Sequence, residues 1–428
     1  MKIIFGYDNV NEKGIPVEPN GFFFDYKNHI SPINLGYAGH RIICNEDTEL
    51  QFHPHNSKLN YPLNITIQDT SKINEKYFYP IDVWPNDFWF SEKSKDIIIN
   101  KKVVNDIQTN KAKILVLFLR EGMKSNYGMS SQIITSWGDK YKLPKKSIII
   151  SSGNYTGDRI FHKNKYIKYI PHSIWEEQLR LYFNKQDAKK LSNKLLSKGD
   201  RKKLFLCYNR RSRFHRVKLI NKLHREKLLE KGFVSLGGST NFCLKNLNKE
   251  LIDSLPMTIR NTDLSVKQVN TITFDDYADT YFSVITETEH INECNFPSEK
   301  IFKPIISFHP FFVVTSAHFL KMLKSLGYIT FSKWFDESYD NEPNLDRRIN
   351  MVVKEINRLS KLSTDELKNM LVEMYPILEH NHKTFFKRTS EKIFEKKLLK
   401  EMSNEIKTEV KMTSKEKVKL IMTRNRRK

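Results

Sequence analysis

The chain has 428 residues, with 39% hydrophobic, 28% charged and 12% aromatic side chains. This length suggests two or three domains, and the aromatic content excludes a disordered chain. Lysine and arginine number 72 against 49 acids, leaving +23. Such an excess favours polyanionic partners (nucleic acid, phosphorylated ligands or an acidic surface) without choosing among them. No apolar run approaches the roughly 18–20 residues that span a bilayer. The opening MKIIFGYDNV has no apolar core of signal-peptide length. Cys44, Cys207, Cys243 and Cys294 are scattered, with no CxxC pair. A reduced, cytoplasmic setting is therefore expected, without a disulfide framework.

In chain order, the first hundred residues show only short strand-like runs rich in Pro, Gly, Asn and aromatics. The first clear element is Lys113–Leu119 (KILVLFL). A continuous apolar run of this size predicts a parallel strand covered on both faces. A polar loop, Arg120–Gly128, follows, then a predicted helix near Ser130–Tyr141 and a strand at Ser147–Ser151. Ser173–Ser197 reads as helix, and the charged SKGDRKK at Ser197–Lys203 as a domain boundary.

A second α/β region opens with the strand LFLCYN at Leu204. A helix is expected over Phe214–Lys231, with Gly232 as its C-terminal cap. Further strands are expected at Phe233–Leu236, Tyr281–Thr286 and Phe311–Thr315. Helices are expected to start at Ser298 and to run over His318–Leu326, closed by Gly327. Domains are read as 1–197, 198–385 and a helical basic stretch 386–428. Its last 22 residues, Lys407–Lys428, carry 9 basic and 2 acidic side chains, which predicts a polyanion-contacting tail.

Four constellations can carry chemistry. The run Tyr208–Arg216 (YNRRSRFHR) puts four arginines between a strand end and a helix start. Ligands of open α/β sheets bind there, and arginine suits phosphate oxygens. Phe296–Pro304 (FPSEKIFKP) carries Ser298 as a predicted N-cap, with Glu299 and Lys300 opening the helix. Glu287-Thr288-Glu289 ends the strand just before it. Arg120-Glu121-Gly122 follows the KILVLFL strand, where a carboxylate can serve as a general base. Each has a plainer reading as a solvated basic face, an ordinary helix start, a polar strand end or a loop carboxylate. His53-Pro54-His55 lacks a further ligand at metal spacing, Asp275-Asp276 precedes its strand by several residues, and Gly237-Gly238 lacks the GxGxxG spacing. The Trp84–Trp89 segment is aromatic enough to stack on a sugar or a base, with a local core cluster as its plainer reading.

Taken together, Tyr281–Thr315 (YFSVITETEHINECNFPSEKIFKPIISFHPFFVVT) resembles the donor-binding motif of the α-1,3-fucosyltransferases. The matching positions are Glu287, Phe296, Glu299, Lys300, Phe302 and Pro310, and YNRRSRFHRVKLINKL is similar to the family's upstream strand–helix element. The chain also looks like glycosyltransferases of viruses that infect marine microbes. The resemblance covers about a third of the chain, mostly residues 204–330. It implies an α/β, GT-B-like fold: two Rossmann-like domains facing a central cleft, with a helical C-terminus. It further implies a metal-independent, inverting glycosyltransferase using a nucleotide sugar, GDP-linked in the family, with no other cofactor. Asn209, Arg213, Arg216, Glu287, Phe296, Glu299 and Lys300 would bind the donor. Within that set, Arg216 and Lys300 would meet its phosphates, Glu299 its ribose and Phe296 its base. Glu121 is the position most similar to the family's catalytic base. The acceptor would be a glycan, a lipid-linked sugar or a hydroxylated DNA base. Two alternatives stay open: a non-catalytic nucleic-acid-binding protein, and an inactive binding module on the same fold.

Overall fold

A computed structural model describes residues 3–8, 65–82, 99–118, 127–173, 175–183, 199–238, 247–260, 271–388 and 390–403. They contain two sheets in which every strand pair is parallel. The first sheet holds β1 (Ile3–Tyr7), β2 (Ile65–Asp69), β3 (Tyr77–Asp82), β4 (Ala112–Phe118), β5 (Ile148–Ser152) and β6 (Ile167–Pro171), in the order β2-β1-β3-β4-β5-β6. Helices α1 (Lys101–Gln108) and α2 (Tyr127–Lys140) accompany it, while α3 (Trp175–Tyr182), which follows β6, packs Leu179 into the core around the second sheet. The strands and helix expected over residues 113–151 are present within a few residues. The rest of the predicted helix 173–197, from 184 on, lies outside the described residues.

The second sheet has the order β10-β9-β7-β8, from β7 (Lys203–Cys207), β8 (Gly232–Val234), β9 (Thr280–Thr286) and β10 (Phe311–Val314). Around it lie α4 (Phe214–Arg225), α5 (Glu299–Ile306), α6 (Leu345–Leu359) and α7 (Thr364–Lys387). Every residue of β9 is buried, as a central strand covered on both faces requires. Ser298 caps α5 as the sequence predicts, its side chain accepting from the Lys300 N–H.

The helix after β7 ends earlier than predicted. The Lys227 N–H bonds to the His224 carbonyl and the Leu228 N–H to the Leu223 carbonyl, with Lys227 at φ 56°. This 5→2 and 6→1 pattern closes the helix without a glycine. Gly232 instead opens β8, where a Cβ would stand 2.4 Å from the Phe205 ring.

Alternation along the first sheet divides its apolar side chains between two faces. Ile4, Tyr77, Tyr79, Ile114, Val116, Ile148 and Ile150 pack with Val103, Ile107, Ile133 and Trp137 of α1 and α2. Ile3, Phe5, Tyr7, Phe78, Leu115 and Ile149 face the other way. The chain covers this second face with α8 (Ser390–Ser403), part of the 386–428 stretch, through Phe394, Leu398 and Met402 at four-residue spacing. Lys113 and Glu401 pair at 3.2 Å beside them.

The loops after β5 and β6 meet the loop before α5. The Tyr155 N–H donates to the Asn295 carbonyl at 2.8 Å and the Asn154 side-chain amide to the Glu293 carbonyl at 2.9 Å. The Ser173 hydroxyl donates to the Pro297 carbonyl at 2.9 Å. The carboxyl ends of strands in both sheets thus come together, the position where open parallel sheets bind ligands. Among the described residues, no helix is long and apolar enough to cross a membrane.

Candidate functional site

β7 and β9 are neighbours, so the segments that leave their carboxyl ends lie side by side. One runs from Tyr208 through the arginines into α4; the other runs from Glu287 to Ser298 and α5. Parallel pairing thereby joins two sequence motifs some 70 residues apart.

Asn209 is fully buried and works as a tie between strands. Its Oδ1 accepts from the Thr286 hydroxyl at 2.6 Å, and its backbone N–H donates to Ser235 Oγ at 3.1 Å. Arg216 is also buried, with 3% exposure. Its guanidinium donates to the carbonyls of Arg211 at 3.1 Å, Thr286 at 3.2 Å and Glu287 at 3.4 Å. Burial above all, and Arg213 beside it, bring its pKa down to about 10, against the pull of Glu287 and Glu299. Arg216 therefore braces the strand ends through its two terminal nitrogens, while its buried Nε has no hydrogen-bond partner among the described residues.

Glu287 is buried and organises the start of α5. It accepts from the Ser298 N–H at 3.1 Å and from the Ser298 hydroxyl. Burial raises its pKa, Glu299 adds to the rise, and Lys300 and the Ser298 bonds oppose it. Glu299 behaves in the opposite way. Burial pushes its carboxyl up, but Lys300 and Lys303 outweigh this and hold it at about 2. Lys300, a quarter exposed, gives hydrogen bonds to Glu299 Oε1 at 2.8 Å, Ser298 Oγ at 3.0 Å and Thr288 Oγ1 at 3.1 Å. Arg213, a third exposed, donates to the Thr288 carbonyl at 2.7 Å and lies 3.8 Å from Glu289.

Lys303 joins the group, although the sequence reading does not single it out. Burial brings its ammonium down to about 8; Glu299 opposes this, while Lys300 and Arg210 add to it. Its four-residue spacing from Glu299 on one helix is the signal that could have found it. Arg210 is likewise lowered by burial first and by Arg211 next. The arrangement is a set of mutually repelling cations, with the carboxyls of Glu287, Glu289 and Glu299 among them, at the N-terminus of α5. Such a set favours an incoming anion, because added negative charge relieves the repulsion and also meets the helix dipole.

Other expectations fall elsewhere. Phe296 is 1% exposed, and its ring offers no face to a base. Asp276 is buried and pairs with Arg260 at 2.6 Å and with the Tyr208 hydroxyl. Glu121, His53–His55, Trp84–Trp89 and the tail Lys407–Lys428 lie outside the described residues.

The sequence matches no protein-family model, and no curated protein matches it either.

Proposed function

We propose that the protein is a glycosyltransferase with a GT-B-like arrangement, transferring a sugar from a nucleotide-sugar donor to an acceptor hydroxyl. The observation that carries this reading is the convergence of Arg210, Arg213, Lys300 and Lys303 on the N-terminus of α5, beside the loops of the first sheet. A departing nucleoside diphosphate gains negative charge as its bond to the sugar breaks. Fixed cations and a helix N-terminus stabilise that charge without metal assistance.

In the proposed reaction the acceptor oxygen attacks the anomeric carbon from the face opposite the diphosphate. The carbon–oxygen bond to the phosphate breaks, the acceptor proton passes to Glu121, and configuration inverts. The acceptor is a hydroxyl on a glycan, a lipid-linked sugar or a modified DNA base. Reduced to its donor half, the proposal is tested by incubating the protein with a panel of nucleotide sugars and measuring release of nucleoside diphosphate. Release from one donor, lowered at least about a hundredfold by Glu121→Gln with nucleotide binding intact, is the expected result. Absence of release and of nucleotide binding across the panel would remove the reading.

A further inference from the structure

Phe296, the aromatic that the resemblance assigns to the base, is buried. Another aromatic stands next to the cations. Phe214 opens α4 directly after Arg213 and is 36% exposed. It is the one aromatic among the exposed large hydrophobic residues of the described chain. An exposed phenyl ring at a helix start leaves apolar surface in water that a flat ligand would cover.

The ring does not stand alone. Its centroid is 6.4 Å from that of His290, at 37°, and His290 stacks on His215 at 4.6 Å and 27°. The His215 Nε2–H donates to the Glu287 carbonyl at 2.9 Å, which fixes its tautomer. Its Nδ1 is buried and has no hydrogen-bond partner. Burial, then Arg216 and His290, keep this imidazole neutral. Lys218 places its ammonium 4.3 Å from the Phe214 centroid and is itself held by Asp346. The Lys218 ammonium thus lies over one face of the Phe214 ring, and the row continues from Phe214 through His290 to His215.

Its location gives it chemical meaning. Arg213 precedes Phe214 and donates to the Thr288 carbonyl; Thr288 Oγ1 accepts from Lys300; His290 follows Thr288 by two residues. A flat aromatic surface and a cluster of cations thus share one pair of loops. A nucleoside diphosphate has the matching pattern, a stackable base at one end and negative charge at the other.

We infer that Phe214 and His290 form the stacking platform for the base of a nucleoside diphosphate whose phosphates meet Arg213 and Lys300. This rests on the donor reading above and adds the residues that distinguish a nucleotide from a bare diphosphate.

The test is calorimetry with inorganic pyrophosphate and with ADP, GDP, UDP, CDP and dTDP. The wild-type protein should bind at least one of the nucleotides more tightly than pyrophosphate. Phe214→Ala should weaken that nucleotide about ten- to a hundredfold, the usual loss of one base–aromatic stack, and leave pyrophosphate unchanged. Phe214→Trp should keep the affinity, His290→Ala should lower it for the nucleotide alone, and Lys300→Ala should weaken both ligands. If Lys300→Ala weakens the nucleotide but neither Phe214→Ala nor His290→Ala does, the platform is wrong and the donor reading stands. Equal loss for pyrophosphate in Phe214→Ala also overturns the platform. No binding of any nucleotide by the wild type overturns both.

Discussion

Glu176 and Arg388, 212 residues apart, meet at 3.3 Å in a site closed to water on the carboxylate side. The other Glu176 oxygen accepts from the Tyr328 hydroxyl at 3.0 Å. One carboxylate on α3 thereby holds both the second sheet's surroundings and the connection between α7 and α8. Burial works against the Arg388 charge, but Glu176 and then Tyr155 outweigh it and raise its pKa. Removing one member of such a pair strands the other, at a cost of about 3–5 kcal/mol. Arg388→Ala should therefore lower the urea midpoint strongly, and Tyr328→Phe, which loses one hydrogen bond to that carboxylate, should cost about 1.5–3 kcal/mol. An unchanged midpoint for Arg388→Ala would show that the pair contributes nothing in solution.

Lys300 and Arg216 should separate into a binding residue and a bracing residue. Lys300 is partly exposed beside Glu299, so Lys300→Ala should weaken nucleoside diphosphate binding by one to two decades, about 1.5–3 kcal/mol, with little loss of stability. Arg216 spends its hydrogen bonds on carbonyls of the α4 approach and β9 end. Arg216→Met should lower thermal stability first. Calorimetry and thermal melts on both variants would decide it, and the reverse pattern would exchange their roles.

Acid should destabilise the fold before carboxylates titrate broadly. Burial holds His172 and His309 down to about 3, and His215 well below its ordinary value. Unfolded histidine takes up its proton near 6.5, so between about 6.5 and 3 the unfolded chain binds more protons. Stability must then fall as pH drops through this window, by up to about 1.4 kcal/mol per pH unit for each histidine. Glu287 and Asp340, both raised by burial, act in the opposite sense. Thermal melts from pH 7 to 5 should show a falling Tm, with a shallower slope in His172→Phe, which keeps the stack on Phe394. A flat profile would mean these rings are protonated in the fold.

The C-terminal stretch should behave as two parts. Ending the chain at Ile406 keeps α8 and should leave Tm nearly unchanged, while reducing DNA affinity and its salt slope in a filter-binding assay. Ending it at Arg388 strips Phe394, Leu398 and Met402 from the first sheet, at roughly 1.5–3 kcal/mol for each large side chain exposed. That variant should unfold or aggregate. If the shorter chain is as stable as the longer, α8 does not cover the sheet in solution.

The sequence alone determined the elements whose causes are local. KILVLFL could be read as a strand covered on both faces, since only a doubly buried strand keeps apolar residues at every position. Ser298 as a cap and Gly327 after a helix were legible because capping depends on neighbouring backbone groups; Gly327 has φ +97°. The end of α4 was missed because Lys227 took the left-handed position that glycine usually fills. What only the tertiary structure decided was direction. Phe296 and Phe214 are both aromatics beside charged motif residues, yet packing buries the first and leaves the second open. Arg216 and Lys300 are both motif cations, yet the β7–β9 pairing brings carbonyls to the first. Likewise the cover of the first sheet's second face came from residues almost 300 positions away. Burial and hydrogen-bond partners are set by chain segments distant in sequence, so residue type and spacing name the participants but not the side that each one faces.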